Sequence, residues 1–176
     1  AAWSPDGKFL LTTSISQTAP PQEPNALPVE VKLWNAENGR AVQTITEAGI
    51  REVTGAEFSS DSRRMVIPSG AGTLRTFSLP DGTELGPITD PGSVVNSLSF
   101  SADGGRLACL LADGRLRIWD FSMRAWTVEI AVPAHILKIR NGRTPRCAFV
   151  NPTTILVVGG GGTRTFSTDS QQDTTI

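Results

Sequence analysis

The 176-residue sequence predicts an all-β fold of about four repeats, each made of four antiparallel strands. Four observations carry that prediction. An aromatic runs directly into turn residues at Trp3-Ser-Pro-Asp-Gly, Phe58-Ser-Ser-Asp-Ser, Phe100-Ser-Ala-Asp-Gly and Phe149-Val-Asn-Pro-Thr. Seven positions after each aromatic stands an apolar residue: Leu10, Met65, Leu107 or Leu156. A second aromatic series follows at Trp34, Phe77, Trp119 and Phe166, spaced by 43, 42 and 47 residues. Finally, 17 Gly and 12 Pro make about a sixth of the chain, above the usual share of about 12%. No stretch keeps an apolar face at the helical period, so helix is expected to be close to nil.

The clearest repeat justifies its elements one by one. Leu107–Leu111 is apolar and reads as a strand, Ala112-Asp113-Gly114 as a tight turn, and Arg115–Trp119 as the returning strand. Asp-Gly supplies the positive φ that such a hairpin needs. Upstream, Ser101-Ala-Asp-Gly104 turns the Phe100 strand into the Leu107 strand. Asn38-Gly39 and Asp81-Gly82 stand shortly after Trp34 and Phe77 and introduce a fourth strand. The implied repeats are 1–46, 53–90, 95–132 and 144–168. Residues 169–176 read as a polar tail without the alternation of a fourth strand, so the last repeat is expected to lack a clear strand d.

Composition removes several classes. With 16 Lys and Arg against 17 Asp and Glu, the formal charge is −1, which disfavours binding of nucleic acid by bulk electrostatics. No apolar run is long enough for a membrane-spanning helix, and no basic segment followed by an apolar one opens the chain as a leader would. Cys109 and Cys147 make neither a disulfide framework nor a metal-ligand spacing. Both fall in expected strands as buried, inert thiols, which favours a cytoplasmic location. Neither a metal nor a cofactor is expected.

The motifs at 100–120, Phe-Ser-x-Asp-Gly-x-x-Leu-Ala followed by Asp-Gly-x-Leu-Arg-Ile-Trp-Asp, resemble a WD40 repeat. Trp3-Ser-Pro-Asp-Gly and Val31-Lys-Leu-Trp34-Asn resemble one too. The resemblance covers residues 1–168, strongest in the third repeat and weakest in the second and fourth. It implies a partial β-propeller of four-stranded blades, strands a to d, with the remaining blades N-terminal to Ala1, where the text starts within the pattern. Trp3, Trp34, Phe58, Phe77, Phe100, Asp113, Trp119, Phe149 and Phe166 are then structural blade residues. The polar tetrad that WD40 blades often carry is incomplete in every repeat. The third has Asp113 and Trp119, with Cys109 at the Ser/Thr place and Pro91 at the His place. The first has Thr12 and Trp34, with Pro28 at the Asp place, while Phe77 and Phe166 lack the indole donor.

Two insertions interrupt the period. Residues 14–27, with Pro20, Pro21 and Pro24, enlarge the first b–c loop, and residues 133–143 lengthen the connection before the fourth strand a. In WD40 propellers the b–c and d–a loops emerge on one face, and long loops on a rigid scaffold are where binding tends to be placed. His135, Lys138, Arg140, Arg143 and Arg146 cluster in the second insertion and its exit with no acid among them. Such a cluster suits an acidic or phosphorylated partner, while the lack of interleaved aromatics disfavours nucleic acid. The partner-binding candidates are His135, Lys138, Arg140, Arg143, Pro21 and Glu23; no residue is assigned to catalysis.

Gly159–Gly162 lacks the Lys-Ser/Thr of a phosphate loop and reads as the fourth b–c turn. Lys32, Arg75, Arg117 and Arg164 each precede a strand-c aromatic by two, and their stems are expected along blade edges with their heads in water. The function that follows is a non-catalytic scaffold for a protein or peptide, away from any membrane. Two alternatives remain. One is the propeller part of a larger enzyme, such as a signalling kinase; the other is a small-ligand propeller using polar groups such as Asn96 and Ser97.

Overall fold

The computed structural model describes residues 1–15, 29–47, 56–69, 73–139, 144–169 and 173–174. These form sixteen strands in four antiparallel sheets, each laid out in simple sequence order. The first sheet comprises β1 (Ala2–Trp3), β2 (Phe9–Ile15), β3 (Val29–Asn35) and β4 (Ala41–Glu47). The second comprises β5 (Glu57–Phe58), β6 (Arg64–Ser69), β7 (Thr73–Ser78) and β8 (Glu84–Ile88). The third comprises β9 (Val95–Phe100), β10 (Arg106–Leu111), β11 (Arg115–Asp120) and β12 (Ala125–Ala131). The fourth comprises β13 (Arg146–Asn151), β14 (Thr154–Gly159), β15 (Gly162–Ser167) and β16 (Asp173–Thr174). No helix occurs among the described residues. The chain divides into two compact units, Ala1–Asp90 and Pro91–Ile176, each holding two sheets.

Two sequence expectations change at this level. The polar tail does supply an outer strand: in β16, Asp173 and Thr174 pair with Phe166 and Thr165. An edge strand is held by backbone hydrogen bonds, so it needs no apolar alternation to form. Ser14 belongs to the ladder rather than to the insertion, because β2 pairs with β3 as far as Ile15 opposite Val29.

Ser and Asp side chains make the a–b turn, and the device recurs three times. Buried Ser4 donates to Asp6 Oδ1 at 2.7 Å and accepts from the Phe9 amide at 2.9 Å. Ser59 donates to Asp61 and accepts from the Arg64 amide; Ser101 does the same with Asp103 and the Arg106 amide. Each Asp also accepts the amide two residues on, from Lys8, Arg63 and Gly105. Local bonds of this kind satisfy backbone groups that the ladder leaves open at the bend. The fourth repeat substitutes Asn151, whose Oδ1 accepts from the Thr153 amide.

The residue after the strand-c aromatic organises the c–d turn. Asn35 Oδ1 accepts from the amides of Glu37 and Asn38, and Asp120 Oδ1 from those of Ser122 and Met123. Four positions later the chain needs a left-handed residue. Gly39 and Gly82 meet that need with φ of 68° and 70°, whereas the third repeat puts Arg124 there at 51°. Beside the aromatic, the c–d ladder shifts register at Leu33/Trp34, Thr76/Phe77 and Ile118/Trp119. A bulge adds local twist, so each of the three sheets bends at the same place.

Each unit closes a core between its two sheets. In the first, Phe9, Leu11, Val31, Leu33 and Ile45 of the first sheet pack on Phe58, Met65, Ile67 and Phe77 of the second. In the second, Ala108, Leu110, Leu116, Ile118 and Ile130 of the third sheet pack on Cys147, Ile155, Val157 and Phe166 of the fourth. The aromatic face of one sheet therefore covers the opposite face of its predecessor. Trp3 lies on the face of the first sheet away from that core and is 60% exposed.

Two predictions follow from the turns. A side chain in the left-handed region costs about 1 kcal/mol, and the Arg124 side chain is exposed. Arg124→Gly is therefore expected to stabilise the chain by about 0.5–1 kcal/mol, raising Tm by about 2–4 °C. A melting curve that is unchanged or lower contradicts this. The second concerns acid. The Ser101 hydroxyl first, then the Gly105 amide, hold the Asp103 carboxyl below its ordinary value of 3.8; Ser4 and the Lys8 amide do the same for Asp6. A pKa lowered by folding adds stability that is present above 3.8 and lost as the pH falls through the folded value. Tm should thus drop below about pH 4, and Asp103→Asn should shrink the drop; an equal drop in wild type and variant refutes the linkage.

Candidate partner-binding site

The connection from β12 to β13 is folded rather than loose, and its anchor is apolar. Residues 134–137 form a turn in which the Ile136 amide donates to Pro133 O at 2.9 Å. Ile136 is buried in the core between the third and fourth sheets, and Leu137 packs partly against it. Gly114, in the third b–c turn at φ 92°, lies so close that a Cβ there would stand 2.9 Å from Leu137 Cδ1.

The fourth b–c turn explains its run of glycines by the same close approach. A Cβ on Gly159 would fall 1.8 Å from Ile136 O, and one on Gly161 would fall 1.6 Å from His135 O. The Gly160 amide donates to Lys138 O at 2.7 Å. Glycine is what lets two backbones share that space. The turn reading of Gly159–Gly162 was legible in sequence; the backbone it receives was not.

This docking presents His135, Lys138 and Ile139 outward, the last 66% exposed. Arg146 opens β13, is exposed, and sits opposite Val158, which in turn sits opposite Thr163. Arg146, Val158 and Thr163 thus form one exposed row across the sheet, beside the turn that Lys138 meets. Arg140, Arg143, Pro21 and Glu23, the other predicted partner-binding residues, lie outside the described residues.

Other singled-out residues are held in structural networks. Thr12 Oγ1 accepts from Trp34 Nε1 at 2.8 Å, so the first sheet keeps that part of the polar tetrad. At the same ladder places, the second and fourth sheets hold Ile67 with Phe77 and Val157 with Phe166, all fully buried. Donor and acceptor have been replaced together, and no polar atom is stranded. The third sheet has Cys109 there, and Trp119 lies edge-on to Trp126 at 5.3 Å. Burial, and secondarily Cys147, push the Cys109 thiol well up, so it is an inert thiol. Asp113 turns back on Arg115, which pairs with it at 2.7 Å and lowers its pKa.

Phe58, Phe100, Phe77 and Phe166 are buried, and Trp34, Trp119 and Phe149 half-buried. For Lys32, Arg75 and Arg117, the cationic heads two residues before the aromatics are not simply in water. Lys32 lies 6.0 Å over Trp34 and pairs with Glu30; Arg75 lies 5.2 Å over Phe77 and makes a two-point pair with Glu84. Arg117 lies 4.5 Å over Trp126 and pairs with Glu129 at 3.1 Å. A guanidinium on an aromatic face with a carboxylate beside it is favoured over full hydration once partly buried.

Ser97 and Ser99 carry a role that sequence reading missed. Their hydroxyls accept from the amides of Cys147 and Phe149 at 3.2 and 3.1 Å, tying β9 to β13. Ser97 is therefore engaged between strands, and Asn96 beside it is half-buried. No spacing in the sequence marks a serine as a tie between two inner strands.

The repeated sheets, with their Ser–Asp and Asn/Asp turns, define a chain of β-propeller blades. The WD40 family model, WD domain, G-beta repeat, matches residues 82–120, from the second c–d turn through the end of β11. That match and the four four-stranded sheets support a WD40-like β-propeller fold for the chain. Among solved structures, the one described as the structure of U3-55K superposes with a TM-score of 0.69 at 14% identity. It covers 98% of this chain, which spans 49% of that one, and at such identity the likeness is one of fold. No curated protein matches the sequence.

Gly161→Ala tests the docked turn. With a carbonyl oxygen 1.6 Å from the new methyl, one backbone must move, and a loss of about 2 kcal/mol or more is expected in chemical denaturation. A loss below about 0.5 kcal/mol, the size of an ordinary surface change, means that the turn does not pack as described.

Proposed function

We propose that the chain is a non-catalytic WD40-type scaffold that binds a protein or peptide at the loop end of the third and fourth sheets. WD40 propellers generally mediate protein interactions. The observation that carries the placement is the docked turn: Ile136 and the Gly159–Gly162 turn fix the backbone on which His135, Lys138 and Ile139 stand outward. A preordered loop loses less entropy on binding than a mobile one, so more of each contact is kept as affinity. Arg140 and Arg143 extend this segment in sequence, and Pro21 and Glu23 enter the proposal as a second binding loop by sequence alone.

The small-ligand alternative is weaker because Ser97 is already bonded to the Cys147 amide. A role as the binding part of a larger enzyme is compatible with the scaffold reading, since the binding surface would be the same. Two buried free thiols favour a reducing, cytoplasmic setting, and no helix among the described residues is long and apolar enough to cross a membrane.

Immobilised wild type, a Lys138→Glu/Arg140→Glu/Arg143→Glu variant and a chain trimmed of residues 16–26 should be compared for proteins retained from lysate by quantitative mass spectrometry. At least one retained protein is expected to fall about tenfold on the triple reversal, since charged contacts at a rim are worth about 0.5 kcal/mol or more each. An identical retained set for all three folded chains overturns the placement.

A further inference from the structure

We infer that the partner is an extended protein segment with large apolar side chains and one carboxylate, seated on a loop-end patch built around Val94, Leu137 and Ile139; this rests on the placement just proposed. In an antiparallel sheet laid out in sequence order, the b–c turn and the d–a connection lie at one end, and the a–b and c–d turns at the other. Among the described residues, Val94 at 70% and Ile139 at 66% are the exposed large apolar side chains in the loops of the b–c end. Trp3 and Val158 stand on sheet faces instead, which the stacked sheets of a propeller cover, and Met123 lies in a c–d turn at the opposite end.

One device holds both loops. The Ala112 amide donates to Val94 O at 2.8 Å, and the Gly160 amide to Lys138 O at 2.7 Å. Ala112 and Gly160 each open the b–c turn of their sheet, so Val94 and Lys138 occupy matching places in the third and fourth sheets. The third b–c turn also meets the second connection: Gly114 lies against Leu137 Cδ1, and the Val132 amide donates to Gly114 O at 2.8 Å. Val94 and Leu137 thus flank one short turn, with exposed Ala112 between them and Ile139 two residues beyond Leu137. All of these residues belong to the unit Pro91–Ile176.

Charge sets the rest of the partner's chemistry. Asp113 is held by Arg115 at 2.7 Å, and Glu129 pairs with Arg115 and Arg117, so the carboxylates near the turn are already met. Lys138 has no carboxylate within 4.0 Å among the described residues. One opposite charge beside large apolar side chains therefore complements the patch. The hydrogen-bonded backbone loses little freedom when the patch is covered, so more of the apolar contact is kept as affinity. A lipid surface fits less well, because residues 90–97, 112–114 and 132–139 contain no aromatic to enter an interface.

The probe is a phage-displayed library of random peptides of about twelve residues, selected on the immobilised full chain and counter-selected on Val94→Asp/Ile139→Asp. Both side chains are exposed, so that variant should keep its Tm within about 2 °C; Val94→Ser/Ile139→Ser is the milder pair if it does not. Enriched peptides are expected to share two large aliphatic or aromatic residues and one Asp or Glu. In fluorescence anisotropy the tightest should weaken about tenfold or more when either apolar residue becomes Ser. It should weaken about two- to threefold when its acid becomes the amide or when Lys138→Gln is introduced.

No enrichment over the counter-selected chain, a consensus of charged residues alone, or binding indifferent to both Val94/Ile139 pairs each overturns the inference. So does cosedimentation with phosphatidylcholine–phosphatidylserine vesicles that the Val94→Asp/Ile139→Asp pair abolishes, which would make the patch a lipid contact. If retained proteins are lost on reversal of Lys138, Arg140 and Arg143 while no peptide is enriched, the binding end stands and its apolar partner does not. If a selected peptide binds as expected while the retained set is unchanged by that reversal, the apolar contact stands and the scaffold placement falls.

Discussion

A four-stranded sheet whose second strand is apolar on both faces must be covered on both faces, and the rest of this structure depends on that constraint. In β10 the run Leu107–Leu111 is buried throughout, and in β6 Met65, Val66 and Ile67 are all fully buried. A strand of that kind cannot sit at a protein surface. Stacking sheets is the solution that a repeat offers, since each sheet then covers its neighbour with the same geometry. The cores of the two units show that geometry twice, with the aromatic face of the later sheet on the opposite face of the earlier one.

Packing, rather than polar ties, then decides which residues occupy the strand-c site. Phe77 and Phe166 stand in the faces that close the two cores, and each has an aliphatic residue where the first sheet has Thr12. A Trp–Thr hydrogen bond contributes about 1 kcal/mol net, while losing one partner alone in a buried place costs more than that. Exchanging both at once avoids the unpaired state and adds apolar area, so incomplete tetrads do not imply weak sheets. The Ser–Asp turns are less free to vary: their bonds satisfy backbone amides at a bend, and no apolar residue can replace that function.

Most of the fold was legible because its signals are local. Asp-Gly and Asn-Gly pairs, the aromatic-Ser-x-Asp turns and the apolar strand-b runs each constrain a few neighbouring residues. Strand β16 escaped notice because an edge held by backbone bonds leaves no side-chain pattern at Asp173 and Thr174. Ser97, Ser99, Gly159 and Gly161 escaped for a different reason. Their roles depend on residues up to about fifty positions away, as in the bond from the Cys147 amide to Ser97, and one sequence carries no record of that meeting. Of the candidate site, charge and loop length were legible in His135 and Lys138, but the anchoring of their backbone by Ile136 was not.

That anchoring changes what the insertion at 133–143 means. Extra residues between strands usually add conformational freedom, and a mobile basic loop would lose much of its attraction for a partner to the entropy of being ordered. Here a buried isoleucine, Gly159 and Gly161 against the insertion's backbone, and Gly114 against the Leu137 side chain hold the first half of the insertion in place before any partner arrives. Gly114 is called for by its φ of 92°, but Gly159 and Gly161 are not in the left-handed region, and what excludes a side chain there is the backbone of the insertion. Their cost to stability is offset only by what they hold. What they hold is the backbone of His135–Lys138, within residues 130–168, the longest run of the chain without an Asp or Glu.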